Sequence, residues 1–148
     1  MAGACIFTVL GLPAPQGSKT IVRARHGFGN HVIEGSSDTG RAKTRAWRES
    51  VADAALVQRG MHGQFDGPVA LDLVLRFPRP RSRPKTHHGW HVVKPDKDKV
   101  LRACLDALVH GGLLRDDALV CRVRLEAREV TDWTGASFTL AALAEVTK

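Results

Sequence analysis

The stretch KPDKDKVLRACLDALVHGGLLRDD, residues 94–117, holds the side chains most able to do chemistry. Asp96 and Asp98 stand one residue apart among lysines, and Asp116 and Asp117 follow after a helical pattern. Carboxylates this close repel one another, and a nearby cation relieves the repulsion. Magnesium takes hard oxygen ligands, often one or two carboxylates, and keeps other positions for water and phosphate oxygens. If the helix and the strand that carry the two pairs pack together, the pairs can meet at one spot. A plainer account serves each pair alone. Asp96 suits a helix N-cap, Asp98 suits the positive end of the helix dipole, and Asp116-Asp117 suits a polar turn. Capping needs one acid and a turn needs none, so the combination favours the metal reading while leaving the plainer one open.

These residues need elements to place them. DKDKVLRACLDALVHGG reads as a helix stopped by Gly111 and Gly112, with Val100, Leu101, Cys104, Leu105 and Leu108 on its apolar side. Asp98, Arg102 and Asp106 recur every four residues and line a neighbouring polar stripe, where Arg102 can pair with Asp106. PVALDLVLRFP is the clearest strand, with Val69, Leu71, Leu73, Leu75 and Phe77 on one face. ALVCRVRLEAREV reads as another, with Leu119, Cys121, Val123, Leu125 and Ala127 opposite Arg122, Arg124 and Arg128. CIFTVLG predicts a first strand and ASFTLAALAEV a last one. Residues 37–60 predict a helix capped by Ser37 or Asp38 and ended by Gly60, with Trp47, Val51 and Ala54 turned to the core. Residues 20–36 predict a loose hairpin or a mobile loop. The expected fold is a single α+β domain over residues 1–148: a mixed sheet with two main helices on it.

The totals fit a nucleic-acid partner. Of 148 residues, 22 are Lys or Arg and 15 are Asp or Glu, a formal charge of +7; such an excess suits a polyanion. The three cysteines, Cys5, Cys104 and Cys121, form no C-x-x-C pair and lie in apolar patterns, so all three read as small buried residues. The apolar start lacks a basic leader and is too short to span a bilayer, which predicts a cytoplasmic protein without a membrane.

The proline-broken run RPRSRPKTHHGWHVVK puts Arg79, Arg81, Arg83, Lys85 and Lys94 directly before the acids, where phosphate contact is the expected duty. Trp90 can stack on a base, although packing on its own loop serves as well. His87, His88 and His91 lack a fourth zinc ligand. GLPAPQGSKT has the wrong spacing for a phosphate-binding Walker loop, and its prolines remove backbone donors. Lys19 can still touch DNA there; a solvated lysine fits equally. Asp-x-Asp is no calcium loop either, because the required glycine and terminal glutamate are missing.

KPDKDKVLRACLDALVHGGLLRDDALV closely resembles the signature of RusA-type Holliday-junction resolvases, and GLPAPQGSK and the tryptophan of RAWRESV resemble members from phages and prophages. The resemblance covers most of the chain and is specific from Lys94 to Val120. It implies a magnesium-dependent endonuclease, with Mn2+ able to substitute and no small-molecule cofactor. It further implies a homodimer acting on four-way junctions or other branched DNA in a bacterial or phage-infected cell. The family aspartates fall on Asp96, Asp98 and Asp117, with Asp116 as an adjoining acid, and these are the expected metal and catalytic residues. The family lysine falls on Arg102 and the family asparagine on Lys99. Arginine keeps the cation but carries no proton in or out near neutral pH. Arg102 is therefore expected in an electrostatic catalytic role, with Lys97 and Lys99 beside it on DNA. Two other readings stand: a nuclease for other branched or single-stranded DNA, and a catalytically weakened junction binder.

Overall fold

The structure is a computed structural model that describes residues 3–16, 19–23, 30–34, 38–84 and 89–147. The sequence-predicted cap Ser37, the cation Lys85 and the histidines His87 and His88 lie outside these residues.

The elements run β1 (Cys5–Leu10), β2 (Lys19–Arg23), β3 (Asn30–Glu34), α1 (Asp38–His62), β4 (Val69–Pro78), α2 (Lys97–His110), a short 3-10 turn (Asp117–Leu119), β5 (Val120–Val130) and β6 (Gly135–Ala142). Four strands form one sheet in the order β1-β6-β4-β5, while β2 and β3 form the hairpin expected within residues 20–36. β4 and β5 are parallel and the other neighbours antiparallel, so the sheet is mixed and the fold is α+β as expected.

Period-two burial fixes which face of the sheet is covered. Val69, Leu71, Leu73, Leu75 and Phe77 of β4 are all buried, as are Cys5, Phe7 and Val9 of β1 and Ala136, Phe138 and Leu140 of β6. Phe7 and Phe138 sit opposite each other in the register and stack at 4.9 Å. Trp47, Val51 and Ala55 of α1 and Val100, Cys104 and Leu108 of α2 close this face. The helices approach closely at one point. A Cβ on Gly111 would stand 2.4 Å from the Ala52 carbonyl oxygen, so only glycine permits the contact that seats the end of α2 on α1.

Three expectations are corrected. α1 runs past Gly60 to His62 and stops at Gly63, whose φ of +81° is the left-handed geometry that ends helices. Gly60 lies inside the helix, where lost backbone entropy is tolerated because packing of the other face dominates. Cys121 is exposed, and of the apolar β5 row only Leu125 and Ala127 are partly covered. β5 pairs with β4 alone, so the helices do not reach across it. Leu119 belongs to the 3-10 turn rather than to the strand.

Candidate active site

The parallel crossover β4–α2–β5 decides where the acids go. A parallel connection must return the chain to the starting end of the sheet. α2 therefore begins beside the end of β4 and finishes near its start. Its 14 residues span about 21 Å at 1.5 Å per residue. Asp96 and Asp98 sit at one end of this rod, in a shallow depression with Val92, Val93, Lys94 and Lys97. Asp116 and Asp117 sit past the other end, in a separate depression with Arg48, Asp106, His110 and Arg115. The expectation that helix and strand would bring both pairs to one spot within a chain is not met. Among the described residues no three His, Cys, Asp or Glu side chains are grouped to hold a metal ion.

Asp96 occupies the N-cap position of α2 in extended geometry, yet its side chain makes no capping bond. Instead Lys94 Nζ donates to it at 2.8 Å and Lys99 Nζ lies 3.6 Å away. The Lys94 hydrogen bond is the main reason its carboxyl is held below the usual range, so Asp96 stays anionic. Capping thus does not explain this acid. Asp98 is exposed in the first turn of α2 and engages no partner among the described residues. Asp116 does what the plainer reading required: it caps the 3-10 turn, accepting from Ala118 N–H at 2.8 Å. That bond leaves the exposed side chain of Asp117 unengaged.

The polar stripe of α2 divides. Arg102 is exposed and pairs with neither Asp98 nor Asp106. Asp106 faces Arg48 of α1 at 4.0 Å instead of Arg102. Burial pushes the Cys104 thiol up to about 12 and raises that of Cys5, so neither is a ready thiolate.

The basic loop is less free than its sequence suggests. Arg83 donates to Glu129, whose side chain is 1% exposed, at 3.3 Å. His91 Nδ1 lies 3.7 Å from the same carboxylate, its ring stacks on Phe77 at 4.0 Å, and its Nε2 faces the Lys94 carbonyl at 3.1 Å. Burial, then the charge of Lys97, lowers the His91 pKa. Arg79 donates to the carbonyls of Arg83 and Pro84 and so braces its own loop. Lys97 Nζ donates to the Val93 carbonyl at 2.7 Å. Arg81 remains exposed without such a partner. Trp90 meets β5, where the Arg128 guanidinium lies 5.8 Å over its ring. Lys19 opens β2 opposite Glu34 in the register.

The sequence model of the family Endodeoxyribonuclease RusA matches residues 16–137. The chain belongs to that family. It is thus an endodeoxyribonuclease, a hydrolase of the class that acts on Holliday junctions. The match takes in both ends of α2, α1 and the loop of Gln16. No curated protein matches the chain at a significant level. No helix among the described residues is long and apolar enough to cross a membrane.

Several residues of the Asp116-Asp117 depression carried no signal strong enough to single them out. Arg48 comes from α1, remote in sequence. His110 stands four residues after Asp106, and Arg115 directly precedes Asp116, so helical spacing and adjacency were the available clues.

Proposed function

We propose that the protein resolves four-way DNA junctions as a magnesium-dependent homodimer whose two metal sites are each shared between copies. The observation that carries this reading is the separation of Asp96 and Asp98 from Asp117 by the length of α2. A rigid helix cannot fold back to unite its ends, whereas a two-fold partner running the opposite way can set its Asp117 beside Asp96 and Asp98. Two matched sites then serve the two strands that a junction presents.

The residues suit a hard divalent cation. Asp96 is already anionic, and Asp98 and Asp117 are uncommitted. A bound Mg2+ or Mn2+ supplies activated water and charge relief on the phosphate. Asp116 fixes the turn that presents Asp117. Lys94 and Lys99 hold Asp96 and stand where they would meet a substrate phosphate. Arg102, one turn after Asp98 and always charged, grips a phosphate oxygen as charge builds in the transition state. Arg81, Lys97 and Lys19 complete the DNA-facing cations, with Lys85 beyond the described residues. Action on DNA in the cytoplasm of a bacterial or phage-infected cell fits this chemistry.

The test is a mixing experiment on a synthetic four-way junction with Mg2+. Asp98→Asn and Asp117→Asn should each abolish nicking while sparing binding. Once subunits exchange, the mixture should nick again, because each heterodimer regenerates one site with all its acids. Failure of the mixture to recover, with exchange confirmed by subunit labels, would overturn the shared site. Full activity in EDTA would overturn the metal.

A further inference from the structure

A cavity of about 540 Å³ opens beside Asp96, between the β1–β2 loop, the start of α1 and the loop that enters α2. Its size lies within the range of ligand pockets, about 300–1,000 Å³. The walls are rigid and apolar: Pro13, Pro15, Pro78, Pro80 and Pro95 all line it. Lys43, Lys94 and Lys99 stand at it, and no Asp or Glu does among the described residues. Lys94 and Lys99 are the same two lysines that hold the Asp96 carboxylate, so the cavity and the metal-binding acids share a border. Gln16 lines the cavity as well, and its Oε1 is shielded from water with no hydrogen-bond partner among the described residues. An orphaned buried acceptor is costly and gives the side chain reason to turn toward any donor that enters. Its backbone is secured independently, because Gln16 N–H donates to the Lys99 carbonyl at 3.1 Å.

We propose that this cavity receives one unstacked nucleobase of the DNA substrate, next to the phosphate that is cut, and that Gln16 reads the amino edge of that base. The inference rests on the nuclease reading above and adds to it a determinant of sequence preference. Flat apolar walls favour a flat heteroaromatic ring. Lys43 at the wall, with Lys94 and Lys99 at the border shared with Asp96, suits the phosphates on either side of it. A junction core, whose bases are already poorly stacked, lowers the cost of drawing one out. An acceptor at the wall favours adenine, cytosine or guanine, which carry exocyclic amino groups, over thymine, which has none.

The experiment uses the full-length protein and junctions with 2-aminopurine at the nucleotide flanking the cut. It is run first in Ca2+ to record binding alone, then in Mg2+ to record nicking with each natural base at that position. Binding should raise the 2-aminopurine fluorescence several-fold, and nicking should favour amino-bearing bases over thymine by roughly tenfold. Gln16→Leu should level that preference, lowering the nicking of amino-bearing junctions toward the rate for thymine. Val93→Trp, at an exposed position on the cavity rim, should suppress the fluorescence rise. A fluorescence rise that both variants reduce, in a protein that nicks nothing, would support the pocket and overturn the nuclease reading. Nicking without a fluorescence rise, or with a base preference unchanged in Gln16→Leu, would overturn the pocket alone.

Discussion

The two ends of α2 are built for different work. The N-terminal end gathers Lys94, Lys97 and Lys99 around Asp96 and Asp98 and borders the proline-walled cavity. The C-terminal end offers Asp117 from a short turn capped by Asp116, beside Arg48 paired with Asp106. The first end sets its acids among lysines beside a cavity; the second presents one carboxylate from a capped turn near Arg48, His110 and Arg115. The contrast teaches that acidity alone does not identify a site. The bonds each carboxylate already makes separate the cap, Asp116, from Asp98 and Asp117, which engage no partner among the described residues.

The largest effects should fall on the uncommitted acids. Asp98→Asn should slow junction nicking on the order of a thousandfold, as expected when a centre that stabilises transition-state charge is lost. Asp116→Asn should retain most activity, because asparagine caps equally well. Single-turnover rates on one junction measure both. Equal losses in the two variants would mean that Asp116 binds metal and that the two ends do not differ in this way.

Next in size is Arg102, on the stripe between the ends. Arg102→Lys should keep most activity, while Arg102→Ala and Arg102→Gln should each lose about a hundredfold, the usual scale for one transition-state contact. Melting temperatures should not move, since Arg102 is exposed and has no partner among the described residues. A parental rate in Arg102→Ala would remove it from catalysis. A rate in Arg102→Lys well above the parent would mark this chain as a weakened enzyme.

The basic loop sharpens the contrast by stability rather than rate. Arg83→Ala strips the buried Glu129 of a cation and should lower stability by about 1–3 kcal/mol. Arg81→Ala should leave melting unchanged and reduce the salt dependence of junction binding by about one phosphate contact. Thermal melts and salt titrations separate the two. An unaltered salt slope in Arg81→Ala would leave that side chain merely solvated.

The smallest effect concerns pH. The folded chain holds His91 below its ordinary pKa, so the unfolded chain binds the proton first. The associated stability is full above about pH 6.5 and declines as the pH drops from there toward the folded value. Melting at pH 7.5 and 5.5 should show the decline, and His91→Asn should flatten it.

How much was legible from sequence follows from how local each cause is. β4 and α2 announced themselves, because burial of one face imposes a period that five residues each display. The β5 row showed the same alternation and misled, since alternation records which way a side chain points and not whether anything covers it; at a sheet edge nothing covers Cys121. Gly60 and Gly63 look alike in sequence, and only the backbone turn at Gly63 distinguishes them. The four acids were legible, but their meeting was conditional on the helix and the strand packing together. A helix between them is a spacer and keeps the two pairs at its opposite ends. The buried contact of Arg83 with Glu129 joins residues 46 apart in sequence, which no local pattern reports.

The length of α2 also bears on dosage. If, as proposed, the catalytic groups of one centre are divided between copies, a lone chain would be inert, and below the dissociation constant of the dimer activity would rise with the square of chain concentration. Newly made protein would then pass through a harmless interval before copies meet. A cutter of branched DNA, dangerous to any replicating chromosome, would be restrained by dilution alone, without an inhibitor or a modification.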